Sequence, residues 1–267
     1  MADADTLRDP AVTGVPTTPE PSPPPVSAPG DETVMSLVDH LGELRSRLFK
    51  AILAVAVGSV VGYIVAPAIR DILILPLPPN PQTGVRSVQV LGLGDAFVIQ
   101  LKISIVVGII LAMPVLLYQL WAFIAPGLTP SERRTVRPWI PLALLFFALG
   151  VAIAYVVLPF AITFLLGYTD EHLVQGIAAG PYFEFVTTMF LAFGLVMEFP
   201  IVMVGLSRVG ILTSTRLRES RRMVILGIAI FAAVATPGGD LVSPFVLGGT
   251  MYILFELTAL FIKRSGR

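Results

Sequence analysis

The chain has 267 residues, of which 55% are apolar and only 13% charged; its net charge is zero and its mean hydropathy is +0.84. Soluble domains carry about 25% charged residues, so the charge here is too scarce to cover a water-facing surface, and lipid is the expected solvent for much of the chain. Cysteine is absent, which excludes disulfides, thiolate catalysis and Cys-ligated zinc or iron–sulfur sites. The two histidines, His40 and His172, stand far apart, and the neutral balance argues against bulk nucleic-acid binding.

Residues 1–33 carry eight prolines and almost no large apolar side chain, so this segment reads as a disordered tail without an apolar targeting region. The first membrane segment is expected to do the targeting itself. A membrane domain is expected over 34–264, with a short tail end at 265–267. Six apolar stretches run through that domain: Phe49–Val65, Phe97–Phe123, Trp139–Phe160, Phe183–Leu206, Met223–Ala235 and Phe245–Ile262. Four approach or exceed the roughly 20 residues that cross a bilayer core. The fifth has 13 residues and the sixth 18, so by length alone the two could be a re-entrant hairpin or two short spans.

Basic residues orient the segments. Four Lys and Arg precede the first stretch or open it, three lie between the second and third, five follow the fourth, and three close the chain, 15 of the 18 in all. Positive charge stays on the cytoplasmic side, so both termini are expected there and the number of spans is even.

No Walker A sequence, no G-x-S-x-G and no H-E-x-x-H occurs. An enzyme is not expected, and no cofactor or metal. The residues that carry chemistry lie in two polar stretches. In Ser36–Lys50, Leu37, Leu41, Leu44 and Leu48 form a stripe at helical spacing, with His40, Glu43 and Arg47 on the complementary face. On spacing alone this is an interfacial helix with a Glu43–Arg47 i,i+4 ion pair. In Tyr118–Arg134, Tyr118, Trp121 and Phe123 suit a membrane interface, and Thr129-Pro130-Ser131-Glu132 reads as a capping box.

Taken together, the two stretches resemble the twin-arginine translocase subunit family TatC. His40-Leu-Gly-Glu-Leu-Arg-Ser-Arg-Leu48 is similar to that family's N-terminal motif. Trp121-Ala-Phe-Ile-Ala-Pro-Gly-Leu128 with Glu132-Arg-Arg134 is similar to its first cytoplasmic loop. Phe193-Gly-Leu-Val-Met-Glu-Phe-Pro200 and Ala235-Thr-Pro-Gly-Gly-Asp240 match as well. The resemblance implies an all-α polytopic membrane protein of six spans, the fifth and sixth short, with both termini cytoplasmic in the cell inner membrane. It further implies a core receptor that binds Arg-Arg signal peptides of folded cargo and works with TatA- and TatB-like single-span subunits in an oligomeric complex driven by proton-motive force.

Within that reading Glu43 and Glu132 accept the two guanidiniums, Arg45 orients one carboxylate, and Phe123 packs an apolar signal residue. A demand for arginine over lysine fits carboxylates, which take the planar fork in bidentate fashion. Glu198, beside Pro200, and Glu256 are charges inside the bundle, where an ionised carboxylate is costly and must be protonated, partnered or wetted. They and Asp240 are assigned to a groove or a partner-subunit contact. Lys102 is expected to snorkel outward. The alternative is a small proton- or ion-coupled permease that uses Glu198 and Glu256 as a relay.

Overall fold

The protein is described from a computed structural model. The described residues are 37–79, 84–124, 139–168, 176–208, 212, 214–236 and 241–264. The expected Pro-rich tail and the tail end at 265–267 lie outside them.

Helix α1 runs without interruption over Leu37–Ile74, so the amphipathic stretch and the first span are one 38-residue element. It passes the end expected at Val65 because the break that Pro67 should cause is repaired. Proline has no N–H for the carbonyl four residues back, here that of Tyr63, and Gln100 donates its side-chain amide to that oxygen at 2.9 Å. α2 spans Asp95–Ile124 and α3 Trp139–Leu166. The fourth apolar stretch becomes two helices, α4 over Ala179–Val196 and α5 over Phe199–Arg208. The short α6, Ser214–Glu219, leads to α7 over Arg221–Ala235 and α8 over Val242–Arg264.

Five stretches are long and apolar enough to cross a membrane: α1, α2, α3, α4 continued by α5, and α8. α7, at 15 residues or about 22 Å, is the short remaining one. The 18-residue sixth apolar stretch sits in a helix of 23 residues, preceded by Val242-Ser243-Pro244 and followed by Lys263 and Arg264. The chain is an all-α polytopic membrane protein. Among the described residues the sole β-type feature is an isolated parallel bridge between Gln89 and Ala178.

Successive spans reverse direction. Gly58 meets Gly108 and Gly62 meets Ser104, so α1 and α2 are antiparallel. Gly150 abuts Phe193, and Phe147 abuts Gly194, so α3 and α4 are antiparallel too. The ring of Trp139, at the start of α3, packs edge-on to Phe261 near the end of α8, with centroids 5.9 Å apart. The beginning of α1 and the end of α8 therefore share one end of the bundle, here called the terminal face; the other is the far face. At the far face, Gln89 donates to Ile177 O at 2.8 Å and accepts from Ala179 N–H at 2.7 Å. Tyr182 O–H donates to Leu73 O at 2.5 Å, tying α4 to α1.

α4, continued by α5, is the centre of the packing and is mostly buried, whereas α1 is mostly exposed. Phe183, Val186, Met189 and Phe193 are buried there, with Leu158 of α3 and Leu247 and Phe255 of α8. α1 shows Phe49, Ile52, Val57, Val60 and Ile64 to the surroundings. In a bilayer that surface is solvated by lipid.

Candidate functional site

Glu43 and Arg47 lie one turn apart on α1, and the i,i+4 pair forms. Arg47 Nε donates to Glu43 Oε1 at 2.9 Å, and Arg47 Nη2 donates to the same oxygen at a shorter distance. Both side chains are mostly enclosed, 23% and 18% exposed. Glu43 Oε2 is enclosed and has no hydrogen-bond partner among the described residues. A carboxylate offers about four acceptor sites; two face Arg47, and the second oxygen is held in place with its own sites unused.

The cation paired with Glu43 is Arg47. Arg45 is exposed and makes no ion pair with Glu43. The reason is angular, since residues four apart on a helix stand one above the other and residues two apart do not. Arg45 lies with Gly42, Ser46, Phe49 and Ile52 along a shallow groove of about 480 Å³.

Phe123 lies half-buried near the end of α2, two residues past the buried Trp121. The register that sets Gly58 opposite Gly108 places Glu43, fifteen residues before the first, level with Phe123, fifteen residues after the second. So the structure brings Glu43 and Phe123 to one height at the terminal face. Glu132 lies outside the described residues, as does Asp240. His40 falls within α1, but its side chain is not among those described.

Glu198 occupies the break between α4 and α5. Its N–H reaches Leu195 O at 3.1 Å in a tightened turn, and its carbonyl accepts from both Ile201 and Val202 at 3.0 and 3.1 Å. Pro200 supplies no N–H for Val196 O, which explains why the ladder breaks here. The residue is 6% exposed, and Oε1 has no hydrogen-bond partner among the described residues. It stands eight residues, about 12 Å of helix, before Leu206.

Glu256 is not alone on its helix. Arg221, the first residue of α7, approaches Glu256 Oε1 at 2.5 Å and donates to Tyr252 Oη at 2.8 Å. The two charges clasp the α7–α8 hairpin at the terminal face. Lys102 also has a partner, Glu184 of α4, at 3.1 Å; it snorkels toward a carboxylate that sequence reading did not single out. Gln100 and Tyr252 were missed as well. For Gln100 a signal existed: a proline inside a long apolar stretch orphans the carbonyl four residues back. Glu184 and Tyr252 had none, because a cross-helix partner depends on helix register.

Fold and site together define a polytopic helical membrane protein with enclosed carboxylates at one face and at a helix break. A family profile described as Sec-independent protein translocase protein (TatC) matches residues 39–249. The TatC protein of Desulforapulum autotrophicum is 34% identical over 238 residues, 89% of this chain and 87% of that protein. TatCy of Bacillus subtilis is 32% identical over 235 residues, 87% of this chain and 91% of that protein. A crystal structure of the twin-arginine translocase receptor TatC in DDM superposes with a TM-score of 0.74 at 33% identity, covering 84% of this chain and 99% of that one. The chain belongs to the TatC family. It is a translocase component, a transport protein held in the membrane by several apolar helices, and membership implies a Tat translocase complex.

Proposed function

We propose that this chain is the receptor subunit of a twin-arginine translocase, with its terminal face in the cytoplasm of a cell whose inner membrane it spans. The observation that carries the reading is Glu43: one oxygen held by Arg47 and the other enclosed without a partner among the described residues. Such a carboxylate is aligned before its ligand arrives and accepts one guanidinium of an Arg-Arg signal peptide. Glu132 accepts the second, and Phe123, level with Glu43, packs the neighbouring apolar residue. Arg45 stands at the rim of the same helix.

Four further assignments belong to this reading. Glu198 meets a polar group on a TatA- or TatB-like single-span subunit, whose helix brings a partner for the Oε1 that has none among the described residues. Asp240 and Glu256 are assigned to contact with such subunits. Proton-motive force supplies the energy, and several copies assemble. The crystal structure described as a twin-arginine translocase receptor supports the receptor role by likeness. The permease alternative is weakened by the Arg221–Glu256 pair, which removes Glu256 from a relay with Glu198.

The test is photocrosslinking of an Arg-Arg signal peptide to the full chain in membranes, with probes placed beside Glu43 and Glu132. Crosslinks that disappear when the peptide carries Lys-Lys support the reading. Crosslinks indifferent to that exchange sink it.

A further inference from the structure

α1 to α4 enclose an apolar groove of about 310 Å³ on the far-face half of the bundle. Its floor is buried Leu73, Ile103, Val186 and Thr187, and its lips are the exposed Ile72, Leu111 and Tyr155. The Thr187 hydroxyl is already spent on Phe183 O at 2.5 Å, and every atom that faces the groove is apolar. Ile103 and Leu111 stand 21 and 13 residues before Ile124, the end of α2. The groove thus lies about 20 to 32 Å from the terminal end, the far-face half of a hydrocarbon layer about 30 Å thick.

Size and chemistry select the occupant. A helix about 10 Å wide along that length would overfill even the groove's whole open space of about 830 Å³, so a partner span does not seat fully within it. Non-helical peptide would bury amides with nothing to bond. A single hydrocarbon chain suits the space, which gains from apolar contact alone.

A charged pair stands one helical turn beyond the groove, toward the far face. Lys102 lies one turn outward from Val106, and Glu184 one turn outward from Thr187; the two meet at 3.1 Å with side chains 42% and 62% exposed. Lys102 is 22 residues, about 33 Å, from Ile124, which is headgroup depth. Their contact uses one of three ammonium donors and one of about four carboxylate acceptor sites. An adjacent cation and anion with donors and acceptors to spare complement a headgroup that carries a phosphate and a primary ammonium. A choline headgroup cannot donate to Glu184, and a glycerol headgroup brings no cation to it.

We propose that the groove and the Lys102–Glu184 pair form a binding site for a phospholipid of the far-face leaflet with an ethanolamine headgroup, one acyl chain lying between α2 and α3 on the floor of α4. Phosphate sits on Lys102 and the ammonium on Glu184. The lipid fills the groove among α1, α2, α3 and α4, and becomes a fixed part of the bundle.

The experiment reconstitutes the full chain in nanodiscs of equimolar phosphatidylethanolamine, phosphatidylglycerol and phosphatidylcholine and counts retained lipids by native mass spectrometry. One phosphatidylethanolamine is expected per chain, favoured about tenfold over the other two. Ile72→Trp and Leu111→Trp, both at exposed lips, fill the groove and lower retention of all three lipids about tenfold. Lys102→Met with Glu184→Met keeps a retained lipid but levels the three headgroups; both positions are exposed, so this variant reads independently if a lip variant does not insert. Equal retention of the headgroups by the wild type, preference for phosphatidylglycerol, or a Trp variant that retains lipid like the wild type overturns the proposal.

Discussion

The α1–α2 pair and the α7–α8 hairpin are both antiparallel helix pairs in one bundle, yet they are held in opposite ways. In the first, backbones touch: a Cβ added at Gly58 would stand 2.6 Å from Gly108 O, and Gly62 is pressed against Ser104 in the same manner. In the second, a Cβ added at Gly248 would stand 3.4 Å from the Ala232 Cβ, an ordinary contact, and one added at Gly227 or Gly249 would meet nothing within 4 Å. An apolar groove of about 410 Å³ stays open between Ile225, Ile228, Ala232, Phe245, Gly248 and Tyr252. Inside lipid no hydrophobic force draws helices together, so close backbone packing must do so. The first pair has that packing and forms a stiff post for Glu43 and Phe123. The second lacks it and is fastened at one end by Arg221 with Tyr252 and Glu256.

That contrast can be broken most severely at Gly58. Gly58→Leu forces a side chain into the Gly108 backbone, which cannot yield, and should cost about 3 kcal/mol or more. Thermal unfolding of the purified protein reads this directly; an unchanged midpoint would mean that α1 and α2 do not touch.

Next in size is the carboxylate that the stiff post presents. Glu43→Ala and Glu132→Ala should each weaken signal-peptide binding by about 1.5–3 kcal/mol, the worth of a charged hydrogen bond, without altering membrane insertion. For Glu132, loss of a capping role alone would instead appear as about 1 kcal/mol of stability. Titration of labelled Arg-Arg peptide separates the two, and undiminished affinity in both variants ends the receptor role of these residues.

Glu198, on the central α4–α5 stretch that neither pair contains, gives a smaller effect. An interhelical hydrogen bond in lipid is worth about 0.6–2 kcal/mol. Glu198→Gln should keep most partner recovery on co-purification and Glu198→Leu should lose it; equal recovery would leave Glu198 with a purely structural place.

The least effect is expected where the hairpin is open. Gly249→Ala meets no atom within 4 Å and should shift stability by no more than the helix-propensity gain of about 0.5–1 kcal/mol. Strong destabilisation there would show that the hairpin is packed as tightly as α1 and α2, and the contrast would fall.

Much of the architecture was legible in the chain because lipid imposes a simple rule: backbone polar groups must bond within their own segment, so long apolar stretches become helices. That rule placed α2 and α3 to within a few residues at most ends, and the short Met223–Ala235 became α7. It failed at Val65, where Pro67 and Arg70 end the apolar stretch but a side chain from another helix completes the ladder. It also failed at Met197–Glu198, where apolarity continues through a helix break.

The site divides along the same line. Spacing alone determined the Glu43–Arg47 pair, because residues four apart on a helix meet whatever surrounds them, and composition determined that lipid is the solvent. The tertiary structure alone decided which charges cross between helices: Lys102 with Glu184 and Arg221 with Glu256 lie 82 and 35 positions apart. Those partners depend on the angular register of two packed helices. The glycines at the helix crossings, Gly58, Gly62 and Gly150, act through approaches so close that an added Cβ would stand 2.4–2.6 Å from a backbone oxygen, a geometry that no one-dimensional pattern of apolar and polar residues encodes.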